Sequence, residues 1–425
     1  MPIGRRQLLK GAALTAAAGA SGAVGASIAE ASRGAPDPSL PVDRVVRTTC
    51  SPNCTGSCGQ LAFVRDGRIV KVQQAADYPD AAYNPRGCMK GLSYATLVHG
   101  PDRILHPLIR TGERGSGEFR EASWDEVLDH VAGELKRIGE TYGWDSIHVF
   151  GQVPGSGYVQ KGANYRASAV LGLTHGTSFD FNGDLPMGMP ITFGVQNAEH
   201  EAKDWANSRF LLLVGANPVE TRIPDAHFLF DAAEKGARIV VVDPTFSGSA
   251  SKADAWFRIR PGTDAALGLA LVRQVLDDEL GDLTFIARYT DGSLLVRTDT
   301  GKRLRERDLV PGIPDDAPDR FVAWDLAAGA AAIIGTDRLG FPEGVEPALD
   351  GQFEIRLASG RTVSATPGWA LVRAGLEGWT PEHASEVTGI EAARIVALAR
   401  AYASEKPAAI LMGGGANHWF HGDLT

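Results

Sequence analysis

Cysteine is scarce in this sequence: the chain of 425 residues contains four, and none follows Cys88. Runs of lysine or arginine are missing too, and acidic residues outnumber basic ones by 51 to 42, which argues against a nucleic-acid partner. No internal repeat is visible. Hydrophobic residues make up 44% and charged residues 22%, as in globular proteins, and the length predicts two or more domains.

Residues 1–31 have the layout of a signal peptide: a basic head with Arg5, Arg6 and Lys10, an Ala/Gly-rich apolar stretch, and small residues at the end. The paired arginines match the twin-arginine export pattern, which carries folded proteins; an ordinary Sec signal or a disordered tail is the alternative. The apolar stretch has too few large side chains for a permanent membrane anchor. We therefore expect export to the periplasm or to the extracytoplasmic face of the membrane.

The cysteines follow a C-x3-C-x3-C-x29-C pattern, at Cys50, Cys54, Cys58 and Cys88. Two disulfides are one alternative, but a bridge from Cys54 to Cys50 or to Cys58 would close a very tight loop. Zinc is another, but it usually takes two well-separated pairs of ligands. Four thiolates, three of them in one loop, suit a 4Fe-4S cluster best. The pattern therefore predicts a cluster domain over residues 43–105, supported by a small hairpin at residues 60–72.

Apolar strands alternate with helical segments from about residue 145 onward. Strands are expected at 146–151, 209–218 and 238–244, and helices at 158–171 and 225–235. Continuous apolar strands separated by helices predict an α/β fold with a doubly wound parallel sheet. Ligands bind at the carboxyl ends of the strands in such sheets. The candidate ligand contacts are therefore Gly215, Asn217, Pro218, Asp243 and Pro244.

A Pro-Gly-Thr-Asp sequence contributes three further candidates, Gly262, Thr263 and Asp264, at the start of a helix whose N-terminal amides could hold a phosphate. The alternative role of Thr263 or Asp264 is that of a simple helix N-cap. Residues 280–365 are rich in Asp, Gly, Pro and Arg and are interpreted as a surface insertion. Helices are then expected at 367–378 and 389–403, and a last strand at 408–414.

The segments TTCSPNCTGSCGQLAFVRDGRIVKV and RGCMKG resemble the N-terminal cluster domain of the dimethyl sulfoxide reductase family of molybdopterin oxidoreductases. The motifs GANP, VVDP and PGTD occur in the same order in that family, where they line the pterin guanine dinucleotide. The resemblance therefore implies molybdenum bis(molybdopterin guanine dinucleotide) beside the 4Fe-4S cluster. It adds Asn53 and Asn417 as cofactor contacts and places Lys90 between cluster and pterin; a solvated surface lysine is the alternative for Lys90.

The protein ligand of the molybdenum is assigned by the same resemblance. The stretch FDFNGDLPMGMPITFGVQ is similar to a segment of nitrate reductase alpha subunits whose Asp-Leu-Pro aspartate binds the metal, and Asp184 matches it. A carboxylate suits an oxophilic metal, although an isolated Asp-Leu-Pro more often forms a turn or helix cap. His418 matches a family histidine near the pterin, and a histidine packed in the core is the alternative.

The resemblance, which covers nearly all of residues 46–425, implies oxygen-atom transfer from an oxyanion such as nitrate, with electrons passing through the cluster. It implies an iron–sulfur beta subunit and a membrane haem b or quinol-oxidising subunit as partners. Nitrate reductase alpha subunits typically have His where this chain has Cys50, and Arg where it has Lys90. Other members of the Asp-ligated branch reduce selenate or chlorate, or oxidise dimethyl sulfide or ethylbenzene.

The domain expectation is that residues 106–425 form molybdopterin-binding α/β domains that lack the family's C-terminal β-barrel-like domain. That expectation leaves one alternative from another functional class. A chain without a complete molybdenum site would act as an electron-transfer iron–sulfur module, and metal analysis would distinguish the two.

Overall fold

A computed structural model describes the chain over residues 41–50, 54, 56–149, 158–175, 188–195, 200–335, 340–419 and 422. The chain divides into two units. The first comprises residues 1–207, 216–236 and 247–252, and the second comprises residues 208–215, 237–246 and 253–425. None of the helices in the described ranges has the length and apolar character needed to cross a bilayer.

The first unit begins with an antiparallel three-stranded sheet. Its strands, in spatial order, are β1 (Arg44–Thr49), β2 (Gly59–Arg65) and β3 (Arg68–Gln74). Asp66 and Gly67 both have positive φ, as the tight turn of a hairpin requires, and Phe63 is fully buried. The hairpin predicted at residues 60–72 is confirmed. Two short helices follow, α1 (Met89–Leu92) and α2 (Tyr94–Val98).

The rest of the first unit is mostly helical. Its elements are β4 (Leu108–Arg110), β5 (Phe119–Glu121), α3 (Trp124–Tyr142), β6 (His148–Val149), α4 (Tyr158–Leu171), β7 (Thr174–His175), α5 (Gly188–Phe193), α6 (Pro218–Thr221) and α7 (Ala226–Glu234). The helix α3 begins where Ser123 accepts a hydrogen bond from Glu126 N, and two acidic residues in its first turn complement the helix dipole. The predicted helix at 158–171 is confirmed.

The second unit is built on a parallel four-stranded sheet. Its strands are β8 (Phe210–Val214), β9 (Arg238–Val242), β10 (Ala255–Phe257) and β16 (Ala408–Met412), in the order β10-β9-β8-β16. Every residue of β8 is buried, which is the pattern of a strand covered on both faces. Three helices share its apolar core: α8 (Asp264–Asp277), α12 (Pro381–Thr388) and α13 (Ala392–Ser404). The predicted α/β fold is confirmed.

The segment interpreted as a surface insertion has a core of its own. Its elements are α9 (Leu283–Tyr289), β11 (Leu295–Arg297), α10 (Glu306–Leu309), β12 (Phe321–Asp325), β13 (Ala330–Ile334), β14 (Phe353–Arg356) and β15 (Thr362–Pro367). The helix predicted at 367–378 follows as α11 (Gly368–Gly375). Strands β11, β15 and β14 form one sheet, and β12 pairs with β13. Leu295, Val322 and Val363 are buried together, and the Trp324 and Phe353 rings stack with centroids 4.4 Å apart. The described part of the segment is therefore built around its own β core.

Candidate functional site

The cysteine loop lies in the first unit. Cys50 directly follows β1 and Cys58 directly precedes β2, and the Cys50 backbone N–H donates to the Cys58 carbonyl at 2.8 Å. The antiparallel pairing of the two strands thus closes the loop that carries the first three cysteines. Cys88 stands immediately before α1. All four are free thiols rather than disulfides.

Neighbouring thiols and burial both act on the pKa values of Cys58 and Cys50. Burial raises the pKa of Cys58 to about 11, and the other three cysteines contribute to the rise while Arg86 opposes it. Burial also raises the pKa of Cys50, with Cys88 and Cys54 as further causes. Since metals bind the thiolate, a metal entering this site has to displace protons from these thiols.

The loop backbone is shaped around the thiols. The Gly56 N–H donates to Cys54 Sγ at 3.4 Å, and a Cβ on Gly56 would lie 3.3 Å from Cys58 Sγ. Among the described His, Cys, Asp and Glu side chains, no three lie close enough together to bind one metal ion. One zinc ion would hold sulfurs about 3.8 Å apart, at about 2.3 Å each, whereas a cluster spreads its thiolates over different irons. This donor set fits a 4Fe-4S cluster.

The C-terminal end of α6 faces the cysteine loop within the first unit. Cys54 Sγ lies 3.7 Å from the Thr221 carbonyl, and Lys90 Nζ lies 3.5 Å from the Glu220 carbonyl. Lys90 is exposed on the unit's surface but makes this long hydrogen bond. The Glu220 side chain accepts from the Gly248 N–H at 3.0 Å. The α6 segment is therefore a neighbour of both Lys90 and the loop.

The predicted cofactor contacts Asn217 and Pro218 also lie in the first unit. The Asn217 amide oxygen accepts hydrogen bonds from the backbone N–H and the hydroxyl of Ser249, at 3.2 and 2.8 Å. Pro218 is buried at the first position of α6. The hydrogen bonds of Asn217 connect the start of α6 to Ser249, a partner that no short motif in the sequence indicates.

The second unit brings the predicted strand-end residues to one edge of its sheet. The register pairs Val214 with both Val242 and Met412, so parallel β8, β9 and β16 end side by side. The residues that follow these ends are Gly215, Asp243, Pro244, Asn417 and His418. Gly215 has φ +56°, and a Cβ there would lie 3.2 Å from Ala416 N. A glycine thus permits the loops after β8 and β16 to approach closely.

Two tryptophans, Trp256 and Trp419, lie near this edge, and no sequence motif predicted them as part of the site. Trp256 Nε1 donates to the Asp243 carbonyl at 2.8 Å. The Trp419 ring lies 3.4 Å from where a Cβ on Gly262 would stand. Tryptophan immediately after Asn417-His418 was the available signal. His418 itself is exposed, so the alternative of a histidine packed in the core is wrong.

Thr263 occupies the N-cap position of α8, as the alternative supposed, but its side chain does not cap the helix. Its side chain makes no capping hydrogen bond to α8, because its hydroxyl donates to the Arg260 carbonyl at 2.7 Å instead. Asp264 occupies the first turn of α8 and is buried. Burial raises the pKa of Asp264 to about 6, partly offset by a hydrogen bond from its own backbone N–H and increased by the nearby Asp243 carboxylate.

Asp264 should make the stability of the protein depend on pH. Its pKa is 3.8 in the unfolded chain and about 6 in the folded protein, so the unfolded state loses this proton first as pH rises. The contribution of protonated Asp264 to the free energy of unfolding is fully present below pH 3.8 and is lost as the pH rises through about 6. The loss amounts to up to about 3 kcal/mol. Asp264→Asn should remove this loss when urea unfolding is compared between pH 4 and pH 7.

Asp277→Asn is the control, since Asp277 lies at the exposed end of the same helix. The wild-type protein and Asp264→Asn showing parallel pH profiles would contradict the assignment.

Two of the predicted site residues, Asn53 and Asp184, lie outside the described ranges. Their proposed contacts with a cofactor and with molybdenum remain predictions from the sequence.

Four cysteine thiols in one unit, and in the other a parallel sheet whose strand ends lie side by side as in nucleotide-binding folds, are features of an iron–sulfur oxidoreductase with a nucleotide-like cofactor. The family model of molybdopterin oxidoreductases matches residues 103–425, and the model of the molybdopterin oxidoreductase Fe4S4 domain matches residues 43–100. The chain belongs to the molybdopterin oxidoreductase family. The cofactors of these two domains are a molybdopterin and a 4Fe-4S cluster, as the sequence predicted.

Several curated proteins are similar to the chain. The perchlorate reductase alpha subunit of Dechloromonas aromatica is 37% identical over 90% of this chain and 44% of that protein. The respiratory nitrate reductase alpha subunit of Haloferax mediterranei is 36% identical over 90% and 40%. The dimethylsulfide dehydrogenase alpha subunit of Rhodovulum sulfidophilum is 32% identical over 88% and 41%. The chain spans less than half the length of these relatives.

A solved structure also shares the fold. Acetylene hydratase from Pelobacter acetylenicus superposes with a TM-score of 0.56 at 21% identity, over 87% of this chain and 41% of that one. At this identity the likeness concerns architecture alone, since one fold hosts different chemistries.

Proposed function

We propose that the chain belongs to the catalytic subunit of a molybdenum oxidoreductase. This enzyme would take an oxygen atom from an oxyanion such as nitrate, perchlorate or chlorate. The observation that carries the proposal is the joint presence of the four cysteine thiols and the strand-end edge in a chain 37% and 36% identical to perchlorate and nitrate reductase alpha subunits. The cysteine site would deliver electrons, and the strand-end edge would bind the molybdenum cofactor.

In this proposal the bound molybdenum cofactor supplies the oxygen-atom exchange, and the chain supplies its surroundings. Cys50, Cys54, Cys58 and Cys88 hold the cluster. Asp184 gives the metal a carboxylate ligand, a hard donor suited to an oxophilic centre. The residues that would hold the dinucleotide parts of the cofactor are Gly215, Asn217, Pro218, Asp243, Pro244, Gly262, Thr263, Asp264 and Asn417. His418 would lie near the pterin.

Buried Asp264 has a specific part in cofactor binding. Its carboxylate is costly to ionise in the protein alone, because burial raises its pKa to about 6. N–H donors of a purine base would stabilise the charged form and offset that cost, since hydrogen bonds to a carboxylate favour its ionised state. The site therefore favours a ligand that presents such donors at the first turn of α8.

The partners and the location belong to the same proposal. The relatives are alpha subunits by name, and we propose an iron–sulfur beta subunit and a membrane haem b or quinol-oxidising subunit as the electron source. Lys90, two residues after Cys88, would lie near the route of the electrons. From the Arg5-Arg6 pair we propose that the folded protein is exported by the twin-arginine route.

The reverse reaction is the second candidate, because the dimethylsulfide dehydrogenase alpha subunit is 32% identical. The test is paired metal analysis and activity measurement on the purified enzyme. Oxidation of reduced viologen by nitrate, perchlorate, chlorate or selenate supports the proposal, and reduction of an artificial acceptor by dimethyl sulfide supports the reverse direction. Iron without molybdenum, and no activity in either assay, would point to the electron-transfer module instead.

A further inference from the structure

A buried ion pair lies beside the cysteine loop in the first unit. Arg86 Nη1 stands 2.7 Å from Asp225 Oδ1, and the two side chains are only 13% and 6% exposed. The two atoms are not oriented for a hydrogen bond, so the contact is a close pair of charges. By contrast, the Arg47–Asp77 pair in the same unit has a similar distance of 2.6 Å but is 49% and 59% exposed.

Arg86 is connected directly to the loop. Its Nε donates to the Gly56 carbonyl at 3.0 Å, in the stretch between Cys54 and Cys58. Its guanidinium also stands over the Tyr83 ring, 5.0 Å from the centroid. A Cβ on Gly56 would lie 3.1 Å from Pro224, the residue before Asp225. The pair therefore lies against the part of the loop that carries two of the thiols.

Stability alone gives little reason to keep this pair. Removing two charges from water is expensive, and replacing a buried ion pair by apolar residues is often neutral or stabilising. A fixed positive charge next to a group that gains negative charge has another use, since charge and hydrogen bonding around a cluster help to determine its reduction potential. In a site with little water, such a charge is weakly screened.

We propose that Arg86, oriented and partly neutralised by Asp225, sets the reduction potential of the cluster; this rests on the proposed ligation of the cluster by the four cysteines. The cluster takes up one electron, no bond breaks, and the negative charge of the thiolate-ligated group increases by one. The guanidinium stabilises that reduced state and raises the potential. The Asp225 carboxylate opposes the guanidinium and lowers it. Arg86 is thus a positioning residue that acts through its charge and through Gly56.

The experiment is a dithionite redox titration of the purified protein, followed by EPR, for the wild type and four variants. Arg86→Gln should lower the midpoint potential, and Asp225→Asn should raise it. Arg86→Lys keeps the charge but loses the planar fork, so its potential should lie between those of Arg86→Gln and the wild type. Asp77→Asn is the matched control and should leave the potential unchanged, because its ion pair is exposed to water.

Opposite signs distinguish this inference from a purely structural role. If the pair only held the loop in place, both variants would loosen it, admit water and shift the potential in the same direction. Shifts of the same sign, or an unchanged potential in Asp225→Asn, would overturn the inference even if Arg86→Gln failed to assemble a cluster. A wild-type protein without any cluster signal would overturn the cysteine assignment, and this inference with it.

Discussion

Replacing Cys58 with alanine should remove the iron–sulfur cluster from the protein. Cys58 is the most buried of the four thiols, at 4% exposure, and it closes the loop through the backbone bond from Cys50. A cubane takes one protein thiolate on each iron, and no other cysteine in the sequence can replace the missing one. Iron and sulfide analysis should give about four irons per wild-type chain and close to none for Cys58→Ala.

Ser57→Ala is the matched control, because Ser57 is the exposed neighbour in the same loop and has no thiol. It should keep its iron. The raised pKa values of Cys58 and Cys50 add a pH dependence, since iron has to displace protons from both thiols. Cluster assembly should therefore be more complete as pH rises. Stoichiometric zinc in place of iron, or four irons retained by Cys58→Ala, would contradict the cluster assignment.

Local patterns in the sequence predicted the elements of the fold well. The apolar runs of β8 and β9, the hairpin of β2 and β3, and the helix at 158–171 are all recognisable from periodicity within a few residues of their observed ends. Such patterns are local, since a strand or helix buries a face that recurs every two or every three to four residues. The cysteine spacing is local in the same sense.

Contacts between distant parts of the sequence could not be predicted. Arg86 meets Asp225, and Asn217 meets Ser249, only because the fold brings separate segments together. At Thr263 the residue type was misleading. Threonine is typical of an N-cap, but the Thr263 hydroxyl donates to the Arg260 carbonyl instead of capping the helix. Competition between such short-range hydrogen bonds is decided by loop geometry, which residue type does not encode. Export through Arg5 and Arg6 stays a prediction, since residues 1–40 lie outside the described ranges.

Replacing Asp184 with alanine should abolish oxyanion reduction while leaving the cluster intact. Three observations support Asp184 as the molybdenum ligand: the absence of cysteine after Cys88, the resemblance of its Asp-Leu-Pro context to the Asp-ligated branch, and similarity to perchlorate and nitrate reductases. Loss of residues that merely orient metal ligands typically costs 10–100-fold in activity. Loss of the ligand itself should therefore cost at least about 100-fold.

The effect of Asp184→Ala has to be separated from misfolding and from loss of charge. Asp180→Ala removes a carboxylate four residues earlier in the same segment and should keep near-normal turnover. Asp184→Cys offers the metal a thiolate in place of the carboxylate and should restore a molybdenum EPR signal with altered turnover. Iron content should be equal in all variants, because the cluster lies in another part of the sequence. An unaltered molybdenum signal and near-normal turnover in Asp184→Ala would mean that another residue binds the metal.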